Sequence, residues 1–249
     1  NATTYFSKVT EQKLYEYRNI LEYVDGGYVI TNKISDKNLM EMRENMDESD
    51  FFEVMSIFSI ENGVLGENID PFRAHLKGEE FGIDGVAISI QGSLCTDIDE
   101  AIEILSLGRN HSSDFHFFQS KTSDKLDYGN ISKFLDAVYD FFTDRSLIIS
   151  EQLQSLAEVK EAIYSTAAKT SPSLRCYYCT TGSGQVSELI ERLIETNKIR
   201  LSELNIFNDI HIECVGAKII QNGFRSATNS SSAKLNFQKA VTMPNHEKV

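Results

Sequence analysis

The sequence predicts an α/β fold in which a mixed β-sheet is flanked by helices. Short runs rich in β-branched and aromatic residues, such as VAISI and DFHFFQSK, are typical of buried strands. Longer segments with apolar residues every three or four positions, such as YGNISKFLDAVYDFFTD, are typical of amphipathic helices. Because the two patterns alternate along most of the chain, we expect helices on both faces of one sheet.

The first part of the chain is predicted to be helical. Apolar residues at helical spacing predict a helix over residues 4–24, and a Gly-Gly pair follows it. A Ser-Asp capping signal opens a second helix over residues 35–46. A third helix, with an acidic first turn, is expected over residues 47–62, ending at Asn62-Gly63.

Strand and helix patterns alternate from Gly82 onwards. The predicted strands lie at residues 82–93, 93–96, 114–121, 174–181, 209–217 and 233–243. The predicted helices lie at residues 97–109, 128–144, 149–169 and 187–198. The sequence has no internal repeat and no clear linker. From the patterns alone we divide the chain into an N-terminal helical segment, residues 1–48, expected to pack on the core, and an α/β domain, residues 49–249. We expect both to belong to a longer protein.

Composition limits the classes of function. The 249 residues carry a net charge of −13, which argues against a large basic face for nucleic acid. Carboxylates are nevertheless what a divalent cation requires, and a basic cleft can lie on an acidic body. No apolar run approaches the roughly 18–20 residues of a membrane span, and no signal peptide is recognisable. We therefore expect a cytoplasmic protein with no membrane partner.

The end of the strand DFHFFQSK combines polar groups with an apolar surface. Gln119 and Lys121 are two residues apart, so their side chains are expected on one face of the strand. Asp84, inside the Gly-Ile-Asp-Gly stretch, precedes a neighbouring strand. A carboxylate and an amide oxygen are ligands suited to Mg²⁺, and a lysine can position water and stabilise phosphate charge. Taken alone, Asp84 is better explained as an aspartate that caps its own turn, and it is Gln119 and Lys121 that favour a site.

These residues and their order resemble a nuclease family. A Phe52-Glu53 helix, the GIDG stretch with a Gln91-Gly92 turn, and FFQSKT occur in sequence. The GIDG and QSK motifs resemble the PD-(D/E)XK nuclease superfamily, in the branch with glutamine at the third motif position, as in Mrr-type restriction endonucleases. The wider pattern is similar to the N-terminal part of abortive-infection phage-resistance (AIPR) proteins. The resemblance covers roughly residues 50–145, and it implies a restriction-endonuclease-like fold.

The resemblance implies a role for each motif residue. Asp84 would bind a metal ion, Mg²⁺ or Mn²⁺, and Gln119 would bind it through its amide oxygen. The carbonyl of Ser120 would be a further ligand, and Lys121 would be the catalytic lysine. Glutamine at position 119 replaces the acid that is commoner there. This removes a negative charge and predicts weaker metal binding unless Glu53 contributes.

The superfamily often adds a glutamate from the helix that precedes the core. Glu53 is the best match for this catalytic and metal-binding acid, and Glu61 is the second. The resemblance therefore implies a metal-dependent endonuclease that hydrolyses DNA in bacterial anti-phage defence. The alternative is a weak or inactive nuclease-fold module used for nucleic-acid binding or dimerisation, which the charge of −13 and the missing acid favour. A homodimer is left open.

Two other patterns have an ordinary structural interpretation. Cys176, Cys179, His211 and Cys214 could form a zinc site, but each pair is three apart in a predicted strand and faces opposite sides. We therefore expect buried structural cysteines and no zinc. The Gly-rich turn at residues 182–184 could hold a nucleotide phosphate, although a tight turn before a Ser-capped helix explains it as well.

Overall fold

The computed structural model describes residues 46–78, 82–107, 111–143, 150–166 and 172–228. The helix predicted over residues 4–24, nearly all of the one over 35–46, and the strand predicted over 233–243 lie outside the described residues. The packing of an N-terminal segment, residues 1–48, on the core therefore stays a prediction.

The described residues form one mixed five-stranded sheet. Its strands are β1 (Gly85–Ile90), β2 (Ser93–Cys95), β3 (Ser113–Lys121), β4 (Ser173–Thr180) and β5 (Asp209–Val215). The strand order is β2-β1-β3-β4-β5. β1 pairs antiparallel with β2 and β3, whereas β3–β4 and β4–β5 are parallel. Parallel neighbours need crossover connections, which the helices after β3 and β4 supply.

Helices cover both faces of this sheet. They are α1 (Glu48–Phe58), continued by a π-helical segment (Ser59–Leu65), then α2 (Pro71–Ala74), α3 (Ile98–Ser106), α4 (Tyr128–Thr143), α5 (Glu151–Thr166), α6 (Glu188–Ser202) and α7 (Ala217–Thr228). Alternate residues of β3 serve two cores. Phe115 and Phe117 pack in the core formed with α3 to α6. Phe118 packs in the core formed with α1, α2 and α7. This confirms the predicted α/β class, and the arrangement is compatible with a restriction-endonuclease-like fold.

The third predicted helix does not end at Asn62-Gly63. The chain stays helical to Leu65, and Gly66 closes the segment in the left-handed conformation, with φ of 73°. Gly63 has another purpose, because a Cβ there would lie 1.8 Å from the carbonyl oxygen of Gly223 in α7. The glycine allows two helices to touch through their backbones, so the prediction of a stop at this position was wrong.

Helix α7 was not predicted at all. Its buried residues Ile220, Phe224 and Ala227 have helical spacing, but Asn222-Gly223 between them resembles a turn signal. Glycine is required at position 223 because α7 touches the π-helical segment there, and a Cβ would lie 2.3 Å from the carbonyl oxygen of Ser59. The other predicted elements within the described residues are present, with ends shifted by a few positions. None of the described helices combines the length and the apolar character that crossing a membrane requires.

Candidate functional site

The pairing of β1 with β3 brings the predicted site residues to one place. Gly85 lies opposite Phe118, and the N–H of Asp84 donates to the carbonyl of Phe118 at 2.8 Å. Asp84 therefore lies beside the end of β3 that carries Gln119 and Lys121. Gly85 is needed here because a Cβ would lie 2.5 Å from the Ile57 side chain of α1. The predicted insertion between the two strands, which holds β2 and α3, leaves their pairing intact.

Asp84 is a mostly buried carboxylate held by two neighbours. Its Oδ2 accepts a hydrogen bond of 2.6 Å from the Ser120 N–H. The same oxygen lies 3.7 Å from the Lys121 ammonium, and the two side chains are 14% and 37% exposed. Burial raises the pKa of Asp84 to about 6, with a further rise from the charge of Glu53, while Lys121 and the Ser120 amide oppose the rise. Such a perturbed carboxyl at strand ends is typical of functional sites.

Gln119 presents a buried amide oxygen. The residue is 3% exposed, and its Oε1 has no hydrogen-bond partner among the described residues. Its Nε2 lies toward Gly82, where a Cβ would be 3.5 Å away. A buried acceptor without a donor costs about 1–3 kcal/mol. The oxygen is therefore available to a ligand that can satisfy it, and a divalent cation fits this donor.

Glu53 reaches the site from the neighbouring helix α1. Its Oε2 lies 2.8 Å from Nε2 of the buried His75, and Ser49 donates to its other oxygen at 3.4 Å. The charges of Glu53 and His75 both act on the pKa of Asp84, in opposite directions. Asp50, Glu53 and His75 each offer a ligand atom within 4.8 Å of the others. Glu53 thus belongs to the neighbourhood of Asp84, as the resemblance implied.

Two residues in this neighbourhood were not predicted from the sequence. His75 follows the short helix α2 and bridges to Gly85 across a single β-like pair. Asp50 lies one helical turn before Glu53, which would have been the available clue. Glu61, the second choice for the extra acid, is instead buried against His116 at 2.8 Å. Ser120 contributes its amide to Asp84, a contact that the sequence did not predict, and its carbonyl stays a proposed ligand.

The cysteines and the Gly-rich turn are placed as the structural interpretations predicted. Cys176 packs in one core and Cys179 in the other, so the two thiols face opposite sides of the sheet. Gly182 lies against the backbone of a neighbouring loop, where a Cβ would be 1.9 Å from the carbonyl oxygen of Asp124. Ser187 caps α6 by accepting from the Ile190 N–H.

Comparisons with known proteins find no matching family model, no matching curated protein and no matching solved structure. The interpretation of the site therefore rests on its own chemistry. Asp84, Gln119 and Glu53 offer oxygen donors, and Lys121 adds a partly exposed positive charge beside them. These are the donor types that suit a divalent cation and an anion.

Proposed function

We propose that this chain is a divalent-metal-dependent endonuclease domain that hydrolyses phosphodiester bonds in DNA. The observation that carries the proposal is the unpartnered, buried amide oxygen of Gln119 beside the Asp84–Lys121 pair. A buried acceptor, a carboxylate and an ammonium at two paired strand ends match the needs of a cation next to a phosphate.

The donor set fits Mg²⁺ or Mn²⁺. Asp84, Gln119 and Glu53 would hold the ion through oxygen atoms, together with the carbonyl of Ser120. Hard oxygen ligands are what these cations prefer. When bound, the cation would supply Lewis-acid chemistry to water and to a phosphate oxygen.

The other roles in the reaction would be filled by side chains of this chain. Lys121, with its ammonium partly exposed, would bind a phosphate oxygen, orient the attacking water and stabilise the charge that develops on the phosphate. Asp84, with a pKa of about 6, is ionised at neutral pH and can act as a ligand. Gln119 adds a donor without adding negative charge, which limits repulsion with Asp84 and Glu53.

The biological role follows only from the resemblance to AIPR proteins. On that basis we propose a cytoplasmic enzyme of bacterial anti-phage defence, with DNA as its partner. The second candidate is a nuclease-fold module without activity that binds nucleic acid or forms a homodimer. Two observations favour it: glutamine stands in a position where an acid is commoner, and the net charge is −13.

Plasmid cleavage in the presence of Mg²⁺ or Mn²⁺ tests the proposal. The unmodified protein is expected to cut, and Asp84→Ala and Lys121→Ala are expected to lose activity while keeping the fold. Asp209→Ala and Lys125→Ala, at exposed positions, are the matched controls. Equal cleavage by all variants would show that the activity arises elsewhere. A folded protein that binds Mn²⁺ through Asp84 but does not cut would favour the second candidate.

A further inference from the structure

A second cluster of ionisable side chains lies on the side of the sheet covered by α1, α2 and α7, where the π-helical segment meets β3. His116 of β3 pairs through Nδ1 with Oε1 of Glu61 at 2.8 Å, and their side chains are only 2% and 0% exposed. Glu67 completes the cluster, and each of the three residues offers a ligand atom within 4.8 Å of the others. None of them belongs to the site around Asp84.

The local backbone brings the two glutamates together. Gly66 reverses the chain at the end of the π-helical segment, with φ of 73°. The N–H of Glu67 then donates to the carbonyl of Glu61 at 2.9 Å, which fixes the two residues side by side. π-Helical turns are rare and are found frequently at functional sites. The pairing of like charges is therefore built into the fold.

Three buried atoms of the cluster lack a hydrogen-bond partner among the described residues. They are Oε2 of Glu61, Oε2 of Glu67 and Nε2 of His116. Leaving a charged group buried without partners costs more than leaving a neutral one in that position. A fully buried glutamate with a free oxygen therefore points to a bound species that satisfies it.

The cluster has the donor types that a cation uses. Two carboxyl groups and one imidazole offer ligand atoms that all lie within 4.8 Å of one another. Glu61 and His116 are almost fully buried, and each keeps an atom without a hydrogen-bond partner among the described residues. A bound cation would satisfy these donors together.

We propose that Glu61, Glu67 and His116 form a binding site for one divalent transition-metal ion of the Zn²⁺ class. An imidazole nitrogen with two carboxylates suits such an ion, whereas Mg²⁺ prefers oxygen donors alone. Glu67 is half-buried between the exposed Gly66 and Asn68, so it is the member of the cluster nearest the surface. This site is independent of the zinc site considered for the cysteines.

The bound ion would connect two elements of the proposed nuclease site. Glu61 lies in the π-helical continuation of the helix that carries Glu53, and Glu67 follows just after its closing Gly66. His116 lies on the strand that carries Gln119 and Lys121. A metal link between them would hold α1 against β3 on the face of β3 opposite the side chains of Gln119 and Lys121. The proposed role is structural, so its test does not depend on nuclease activity.

Calorimetric titration of the untagged protein with Zn²⁺ tests the site. We expect one equivalent that Glu67→Gln binds about tenfold or more weakly because a ligand is lost. Any further equivalent, at Asp50, Glu53 and His75, should be unchanged in that variant. Glu103→Gln, an exposed glutamate in α3, is the matched control and should bind as the parent does. Asp84→Asn should also retain this binding, which separates the site from the proposed nuclease centre, and Mg²⁺ should not displace the ion.

Thermal unfolding supplies a readout that is independent of calorimetry. Because Zn²⁺ binds the folded state, it should raise the Tm of the parent and of Asp84→Asn, but not that of Glu67→Gln. Glu67 is chosen for substitution because Glu61 is fully buried, and replacing it would more readily unfold the protein. The proposal fails if Zn²⁺ does not bind, or if Glu67→Gln binds it equally well. It also fails if Glu67→Gln alone stabilises the protein and Zn²⁺ adds nothing to the parent, because a proton would then satisfy the cluster.

Discussion

The ammonium of Lys121 lies 3.7 Å from the carboxylate of Asp84, where β3 and the residue preceding β1 meet. An ion pair with a lysine 37% exposed contributes only about 0–1 kcal/mol to stability. Stability therefore does little to explain why a lysine occupies this position. Its position beside a buried carboxylate and a buried amide oxygen is better explained by the binding of an anion at the site.

Replacing Lys121 by alanine should separate catalysis from metal binding. We expect cleavage to fall about 100-fold or more, as when one stabilising donor is removed from a transition state. Mn²⁺ binding should persist, since Lys121 is not a proposed ligand, and the Tm should change little. Plasmid-cleavage rates and calorimetry measure the two properties, with Lys125→Ala as the control. Loss of Mn²⁺ binding together with cleavage would contradict the assigned role.

Replacing Gln119 tests the buried amide oxygen. Gln119→Glu adds a charged ligand, so Mn²⁺ should bind about tenfold more tightly, while the metal-free protein should lose stability because a second acid is buried near Asp84. Gln119→Met keeps the length but removes the oxygen, and it should weaken Mn²⁺ binding. Calorimetry and Tm values with and without Mn²⁺ decide the outcome. Equal affinities for glutamine, glutamate and methionine would exclude Gln119 as a ligand.

The sequence predicted most of the sheet because periodicity records burial directly. The alternation of Phe115, Phe117 and Phe118 between two cores follows from the period of a strand. The sequence failed at Gly63 and Gly223, since a glycine that ends a helix and one that allows two helices to touch look alike. The same limit applied to the site. Asp84 and Lys121 belonged to recognisable motifs, but only the fold brings His75 within 2.8 Å of Glu53.

Replacing His75 by alanine should remove the contact that holds the Glu53 carboxylate in position. The buried contact of 2.8 Å orients the carboxylate, and loss of such an orienting partner typically costs about 10–100-fold in metal affinity. Ser49→Ala removes a longer, exposed contact of 3.4 Å to the same carboxylate and should have little effect. Mn²⁺ titration of the two variants gives the comparison. If Ser49→Ala weakens binding as much as His75→Ala, the histidine has no special role.

Replacing Gly63 by alanine tests the contact between the π-helical segment and α7. A Cβ 1.8 Å from the Gly223 carbonyl oxygen forces the backbones apart, so we expect a loss of about 1–3 kcal/mol or more. Gly78→Ala is the control, because a Cβ there would meet no heavy atom within 4 Å. Urea unfolding measures both. A Gly63→Ala variant as stable as Gly78→Ala would mean that these backbones are not in contact.

Replacing Asp84 by asparagine should stabilise the metal-free protein in a manner that depends on pH. The folded-state pKa of about 6 lies above the ordinary value of 3.8, so folded Asp84 holds its proton more tightly than the unfolded chain does. The stability that this proton provides is fully present below pH 3.8 and is lost as the pH rises through about 6. At pH 7–8 the ionised carboxylate should cost on the order of 3 kcal/mol, which asparagine avoids.

In EDTA at pH 7–8, Asp84→Asn should therefore melt about 6–12 °C above the parent, and the difference should shrink toward zero near pH 4. Asp209→Asn, an exposed aspartate, should show no comparable trend. Mn²⁺ should raise the Tm of the parent and not of Asp84→Asn, because a cation compensates the charge that asparagine lacks. A difference in Tm that stays constant from pH 4 to pH 8 would mean that the Asp84 carboxylate carries no penalty for burial.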